Sequence, residues 1–129
     1  MRVSASVSSV LLLLLSASAN AATITLKAGD YGAIGLACNN QPNASTMSFD
    51  GRSFSYAHAS ECTDRITRQQ VGVMTVEETC RAAGDGSPTR PSTETFELRQ
   101  QDSARFTLIK AGSTMTFRRC GPLGYFDKH

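Results

Sequence analysis

The chain contains no tryptophan, two histidines and four prolines, and aromatic residues make up 7% of it. A core built mainly on bulky rings is therefore excluded, and histidine acid–base or metal chemistry has few residues to draw on. The longest apolar run, Val10 to Leu15, falls short of the roughly 20 residues that a membrane-spanning helix needs. Charge of one sign is missing too: 13 basic residues face 11 acidic ones, and Arg2 is among the basic. That balance gives no electrostatic case for nucleic acid or a membrane surface as a partner. Also absent are a paired-cysteine zinc spacing, a Gly-x-Ser-x-Gly nucleophile elbow and any internal repeat. The sequence assigns no catalytic residue, no metal ligand and no cofactor.

What is present begins with a leader. One positive charge at Arg2, the short apolar run and the small residues Ala19-Asn20-Ala21 have the three-part layout of a cleavable secretory signal. The expectation is removal of residues 1–21, export to a periplasm or the medium, and one mature domain over 22–129. No cysteine stands at the first mature position, so no lipid anchor is expected. All four cysteines, Cys38, Cys62, Cys80 and Cys120, lie in the mature part. An even count in an oxidising compartment predicts two disulfides. Three pairings are open, and economy of loop closure leans towards Cys38 with Cys62 and Cys80 with Cys120.

Short alternating segments predict a mainly β fold, a small antiparallel barrel or two-sheet sandwich with two disulfides and room for one short helix. Thr23 to Leu26 and Ala33 to Cys38 read as strands around a turn at Gly29-Asp30-Tyr31-Gly32. Asp50-Gly51 reads as the two-residue tip of a hairpin, with Met47, Phe49, Phe54 and Tyr56 on its apolar side. From Arg65 to Cys80 the β-branched residues favour a strand, while Thr75-Val76-Glu77-Glu78 also fits a capping box opening a helix that stops at Gly84. Gly84 to Ser92, rich in Gly, Pro and Ser, reads as a long loop. Three alternating runs then follow, Thr95 to Arg99, Ala104 to Lys110 and Ser113 to Cys120, placing Phe96, Leu98, Phe106, Leu108, Met115 and Phe117 inward.

Candidate chemistry is thin. His58 and Cys62 lie four apart but lack further ligands in sequence. His58 with Asp64 or Asp85 and one of many serines would make a hydrolase on paper only, since triads are defined by geometry. Glu77 and Glu78 point to opposite faces of a strand, and the sequence reading takes them as solvated charges. Arg118 and Arg119 would either hold an anion or serve structure, one of them facing solvent.

Gly29-Asp30-Tyr31 before Cys38, Pro42-Asn43-Ala44-Ser45 leading to Phe49-Asp50-Gly51, then His58, Cys62 and Phe117-Arg118-Arg119-Cys120, resemble small exported four-cysteine bacterial proteins of unknown function. In architecture alone, an exported β domain of this size is also similar to periplasmic inhibitors of lysozyme, with no motif to transfer residue by residue. The reading is a non-enzymatic binding module, in its sharpest form an inhibitor of an exported or host cell-wall hydrolase such as lysozyme. Its binding residues would be Asp85, Ser87 and Arg90 on the loop from Gly84 to Ser92. The alternatives are a small-ligand or envelope-stress protein whose β cavity takes an apolar or anionic molecule, and a small hydrolase using His58.

Overall fold

The computed structural model describes residues 22–128; the expected leader over 1–21 lies outside the described residues. Eight strands form one antiparallel sheet: β1 Gly29–Ala33, β2 Thr46–Phe49, β3 Phe54–Tyr56, β4 Ala59–Gln70, β5 Val73–Ala83, β6 Pro88–Asp102, β7 Arg105–Lys110 and β8 Ser113–Gly121. Their order is β3-β2-β1-β8-β7-β6-β5-β4, and the two end strands lie against each other. The sheet is a nearly closed barrel. At the β3–β4 seam an acid takes part in the closure, with the backbone N–H of Phe54 donating to Asp64 Oδ2 at 2.7 Å. The other regular elements among the described residues are 3-10 turns at Cys38–Asn40, Asn43–Ser45 and Tyr125–Asp127.

The segment with two readings is strand throughout. Met74, Val76, Glu78, Cys80 and Ala82 alternate inward along β5, and pairing on both sides supplies the hydrogen bonds that a helix would have made internally. Gly29-Asp30-Tyr31-Gly32 is not a turn but most of β1, which is paired with β2 and β8. Its glycines serve close approach: a Cβ on Gly29 would stand 2.4 Å from the Gly121 carbonyl oxygen, and one on Gly32 2.8 Å from Gln41 Cδ. Thr23 to Leu26 joins no ladder, although Leu26 is buried against the core.

The Asp50-Gly51 hairpin keeps its apolar face but shifts register by one pair. Phe49 faces Phe54 and Met47 faces Tyr56, so the connection runs over residues 50–53. Asp50 Oδ1 accepts the backbone N–H groups of Arg52 and Ser53, both at 2.8 Å, and this side-chain turn competes with a two-residue tip. A shift of two residues preserves side-chain parity, which is why the buried set survives.

The stretch from Gly84 to Ser92 is likewise shorter as a loop than its composition suggests. The turn covers 84–87, and β6 starts at Pro88. Pro88 and Pro91 are tolerated because β7 reaches β6 only from Glu97 onward, leaving the start of β6 paired on one side alone.

Both disulfides form, but the leaned pairing is overturned. Cys38 bonds Cys120 and Cys62 bonds Cys80. Cys62 and Cys80 are opposite residues of the β4–β5 hairpin. Loop entropy changes by only about 0.6 kcal/mol per doubling of length, too little to override a register that puts two sulfurs side by side. Two such bonds fit an oxidising, extracytoplasmic setting. Among the described residues no helix is long and apolar enough to cross a membrane.

The core compensates for the missing tryptophan with clustered phenylalanines. Phe54 stands 5.0 Å from Phe49 and 5.5 Å from Phe106, and Phe106 touches Tyr31 and Phe117 at 5.2 and 5.4 Å between ring centres. Tyr31, Phe49, Phe54, Phe96, Phe106, Leu98 and Val76 are wholly buried. Met115, expected inward, is 38% exposed because it lies beyond Phe117 at one end of the barrel.

Candidate functional site

That end, the mouth, is framed by the Ala57-His58 link between β3 and β4, the turn over 84–87 and the turn at Ala111-Gly112. The first two frames touch. A Cβ on Gly84 would stand 1.8 Å from the Ala57 carbonyl oxygen, so glycine there lets the turn lie on the link carrying His58. The His58 ring stacks on Tyr56 with centres 5.5 Å apart.

Inside the mouth the inward positions turn polar. Tyr56 donates its hydroxyl to Glu78 Oε2 at 2.8 Å. Glu78, on β5, is 2% exposed and stands opposite Asp64 of β4. It is not a solvated charge, in contrast to Glu77, which points outward and pairs with Arg65 at 2.9 Å. Lys110 makes an ion pair with Glu94 and holds its ammonium 5.7 Å from the Tyr56 ring centre.

The Glu78 carboxyl is held far above the ordinary acid range, first by burial, then by its hydrogen bond to Asp64 and by the negative charge of Asp64. The Tyr56 hydroxyl is pushed up as well, by burial and then by the Glu78 charge. With both acids ionised, the buried Asp64 Oδ1 has no donor among the described residues; a proton on Glu78 supplies one. Asp30 is the contrasting buried acid, since it accepts from Ser48 Oγ at 2.7 Å and from the Phe126 N–H at 3.1 Å.

Two cavities open here. One of about 240 Å³ is floored by Glu78 and Cys80 and rimmed by Ser92 and Glu94. The other, about 300 Å³, is an apolar trough lined by Met47, Leu108, Met115 and Phe117. Tyr56 and His58 line both.

The residues singled out from sequence are dispersed. Asp85 and Ser87 sit at the exposed tip of the β5–β6 turn and bond each other: Asp85 Oδ1 accepts the Ser87 N–H at 2.9 Å and the Ser87 hydroxyl, and these bonds hold the Asp85 pKa low. Arg90 lies in β6, exposed, without an ion-pair partner among the described residues. His58 makes no hydrogen bond to a serine or a carboxylate among the described residues, so no triad is assembled. Cys62, Glu78 and Cys80 bring potential metal-ligand atoms within 4.8 Å of one another, yet the two sulfurs are bonded to each other. Arg118 and Arg119 serve structure: Arg118 donates to the carbonyls of Ala33 and Leu36, and Arg119 to that of Ala28. Neither faces solvent freely, since both are half-buried.

Glu78 is the residue that sequence reasoning missed. Its signal was phase: it shares the parity of Met74, Val76, Cys80 and Ala82, all inward. No protein-family model, curated protein or solved structure matches the chain.

Proposed function

We propose that the protein is an exported binding module that takes a small amphiphilic ligand in the mouth of its barrel. The observation that carries this reading is the pair of adjoining cavities, one acidic and one apolar, sharing the stacked Tyr56 and His58. Small-ligand clefts are mostly apolar with a few convergent polar groups, and here the two characters are separated onto two sides. The apolar side suits an alkyl or aryl tail. The polar side is rich in acceptors, so a hydrogen-bond-donating head fits it better than the anionic one considered from sequence, which would meet Glu78 and Glu94. A periplasm or the medium is the proposed location, in keeping with the leader expected over 1–21 and with the two disulfides.

Thermal melting with linear alkyl ligands bearing amine, alcohol or carboxylate heads tests this reading. The expected result is a rise in melting temperature with donor heads, increasing with tail length and reduced by Met115→Asp in the trough. No shift with any of them contradicts the reading.

Inhibition of a hydrolase such as lysozyme is a second reading, favoured by exposed Arg90, which has no ion-pair partner among the described residues and stands beside the β5–β6 turn, a group able to fork onto a catalytic carboxylate. Asp85 and Ser87 satisfy each other and so hold the turn rigid. Activity of a lysozyme titrated with the protein decides it: inhibition lost in Arg90→Ala supports the reading, and full activity at excess protein contradicts it.

A further inference from the structure

The apolar tail alone does not say what the head group is. Glu78 lines the polar side of the mouth and faces Asp64 across one rung of β4 and β5, Asp64 itself bordering a separate pocket with Arg52. The rest of their surroundings are accounted for: Asp64 Oδ2 takes the Phe54 N–H, and Glu78 Oε2 takes the Tyr56 hydroxyl. Among the described residues no donor reaches the buried Asp64 Oδ1. One proton held between the two carboxyls meets the needs of both, and Glu78 opens onto the cleft.

The charges around this pair come from every strand packed on it. Tyr56 stands on β3, Asp64 on β4, Glu94 on β6 and Lys110 on β7, with His58 at the rim and Arg52 beside Asp64 on its outer side. Lys110 and Glu94 neutralise each other, which leaves the carboxyl pair as the unmatched negative charge at the mouth. An ammonium already fits this setting. That of Lys110 rests over the rings of Tyr56 and Phe96, at 5.7 and 5.9 Å from their centres, while paired to Glu94.

We propose that the ligand's head is a primary ammonium and that its capture expels the proton held between Asp64 and Glu78. The assignment rests on the small-ligand reading above and adds its chemical class. The one bond broken is a carboxyl O–H: its proton passes to solvent through the mouth, the pair becomes doubly charged, and the incoming ammonium sets its N–H donors on the Glu78 carboxylate, which lines the cleft. Uptake is therefore linked to pH, and favoured as pH rises towards the range where Glu78 gives up its proton unaided.

Calorimetric titration of the oxidised protein with octylamine near neutral pH, in buffers of low and high ionisation enthalpy, tests the exchange. Expected is release of about one proton per amine bound, with the release lost in Glu78→Gln, a variant whose fold is checked by circular dichroism. Octanol, run in parallel, should bind more weakly and release none. Amine binding with no buffer dependence overturns the exchange while leaving the small-ligand reading in place. Octanol binding where octylamine does not overturns the ammonium assignment. Failure of octylamine, octanol and octanoate alike overturns the small-ligand reading itself.

Discussion

At the centre of the barrel β3, β5, β6 and β7 contribute Phe54, Val76, Phe96 and Leu108; two residues further towards the mouth they contribute Tyr56, Glu78, Glu94 and Lys110. The step on β4 is from Ile66 to Asp64. On β8 and β2 the same step stays apolar, from Phe117 to Met115 and from Phe49 to Met47. All these positions share the inward parity of their strands, so sheet geometry alone does not explain the change. The centre has the composition of a core that maximises burial. The mouth gives up apolar contact for ionisable groups on one side only, an arrangement that costs stability and that stability does not explain.

The contrast can be broken from either end. Removing the Cys38–Cys120 bond, which spans 82 residues, by Cys38→Ser with Cys120→Ser should cost about 4.5 kcal/mol on the loop-entropy account, against about 3 kcal/mol for the Cys62–Cys80 bond with its separation of 18. Denaturant melts of the two double variants measure the difference; equal losses would mean that loop length does not govern the effect.

Phe106→Ala, at the meeting point of four rings, should cost about 3–5 kcal/mol as read from the shift in denaturant midpoint. A loss below about 1 kcal/mol would show that the aromatic cluster is not the stabilising centre.

At the mouth, Glu78→Ala removes the acceptor of the Tyr56 hydroxyl and the proton serving Asp64. The expected loss near neutral pH is about 1–3 kcal/mol. Glu78→Gln keeps the shape and offers both a carbonyl and an amide, so its stability should lie within about 1 kcal/mol of the parent while its pH dependence changes. In the parent, Glu78 has a folded pKa raised from 4.5 to about 9. Between those values the folded chain holds a proton that the unfolded chain has lost, so this group's contribution is full below 4.5 and declines as pH rises through the window. Melting temperature against pH should fall across that window in the parent and flatten in Glu78→Gln. Parallel curves would contradict a neutral Glu78.

Much of this fold is legible from alternation. The inward residues of β2, β3, β6 and β7 follow from period two, and even the mistaken hairpin tip preserved them because a shift of two residues leaves parity intact. Where three-dimensional proximity decides, sequence is silent. Gly29 and Gly32 look like turn residues, but they are small because an opposing carbonyl and the Gln41 side chain lie against them. Cys62 and Cys80 pair because a hairpin sets them opposite, a fact available only once β5 is known to be a strand. The start of β6 reads as loop because its prolines are usually excluded from sheets, and it escapes that rule by being paired on one side. The candidate site was harder still. Glu78 is a glutamate in an apolar phase, and Asp64, Glu94 and Lys110 come together from strands whose order no local pattern encodes.

The most direct test of the contrast between centre and mouth is the protonation of Glu78 itself. Titration of the side-chain carboxyl carbons by nuclear magnetic resonance, with Glu78 assigned by its loss in Glu78→Gln, should show this carboxyl still protonated at neutral pH and releasing its proton only under alkaline conditions. A Glu78 resonance that titrates in the ordinary acid range, near its unperturbed value of 4.5, would mean that no proton is held between Asp64 and Glu78, and the account of the mouth would be wrong.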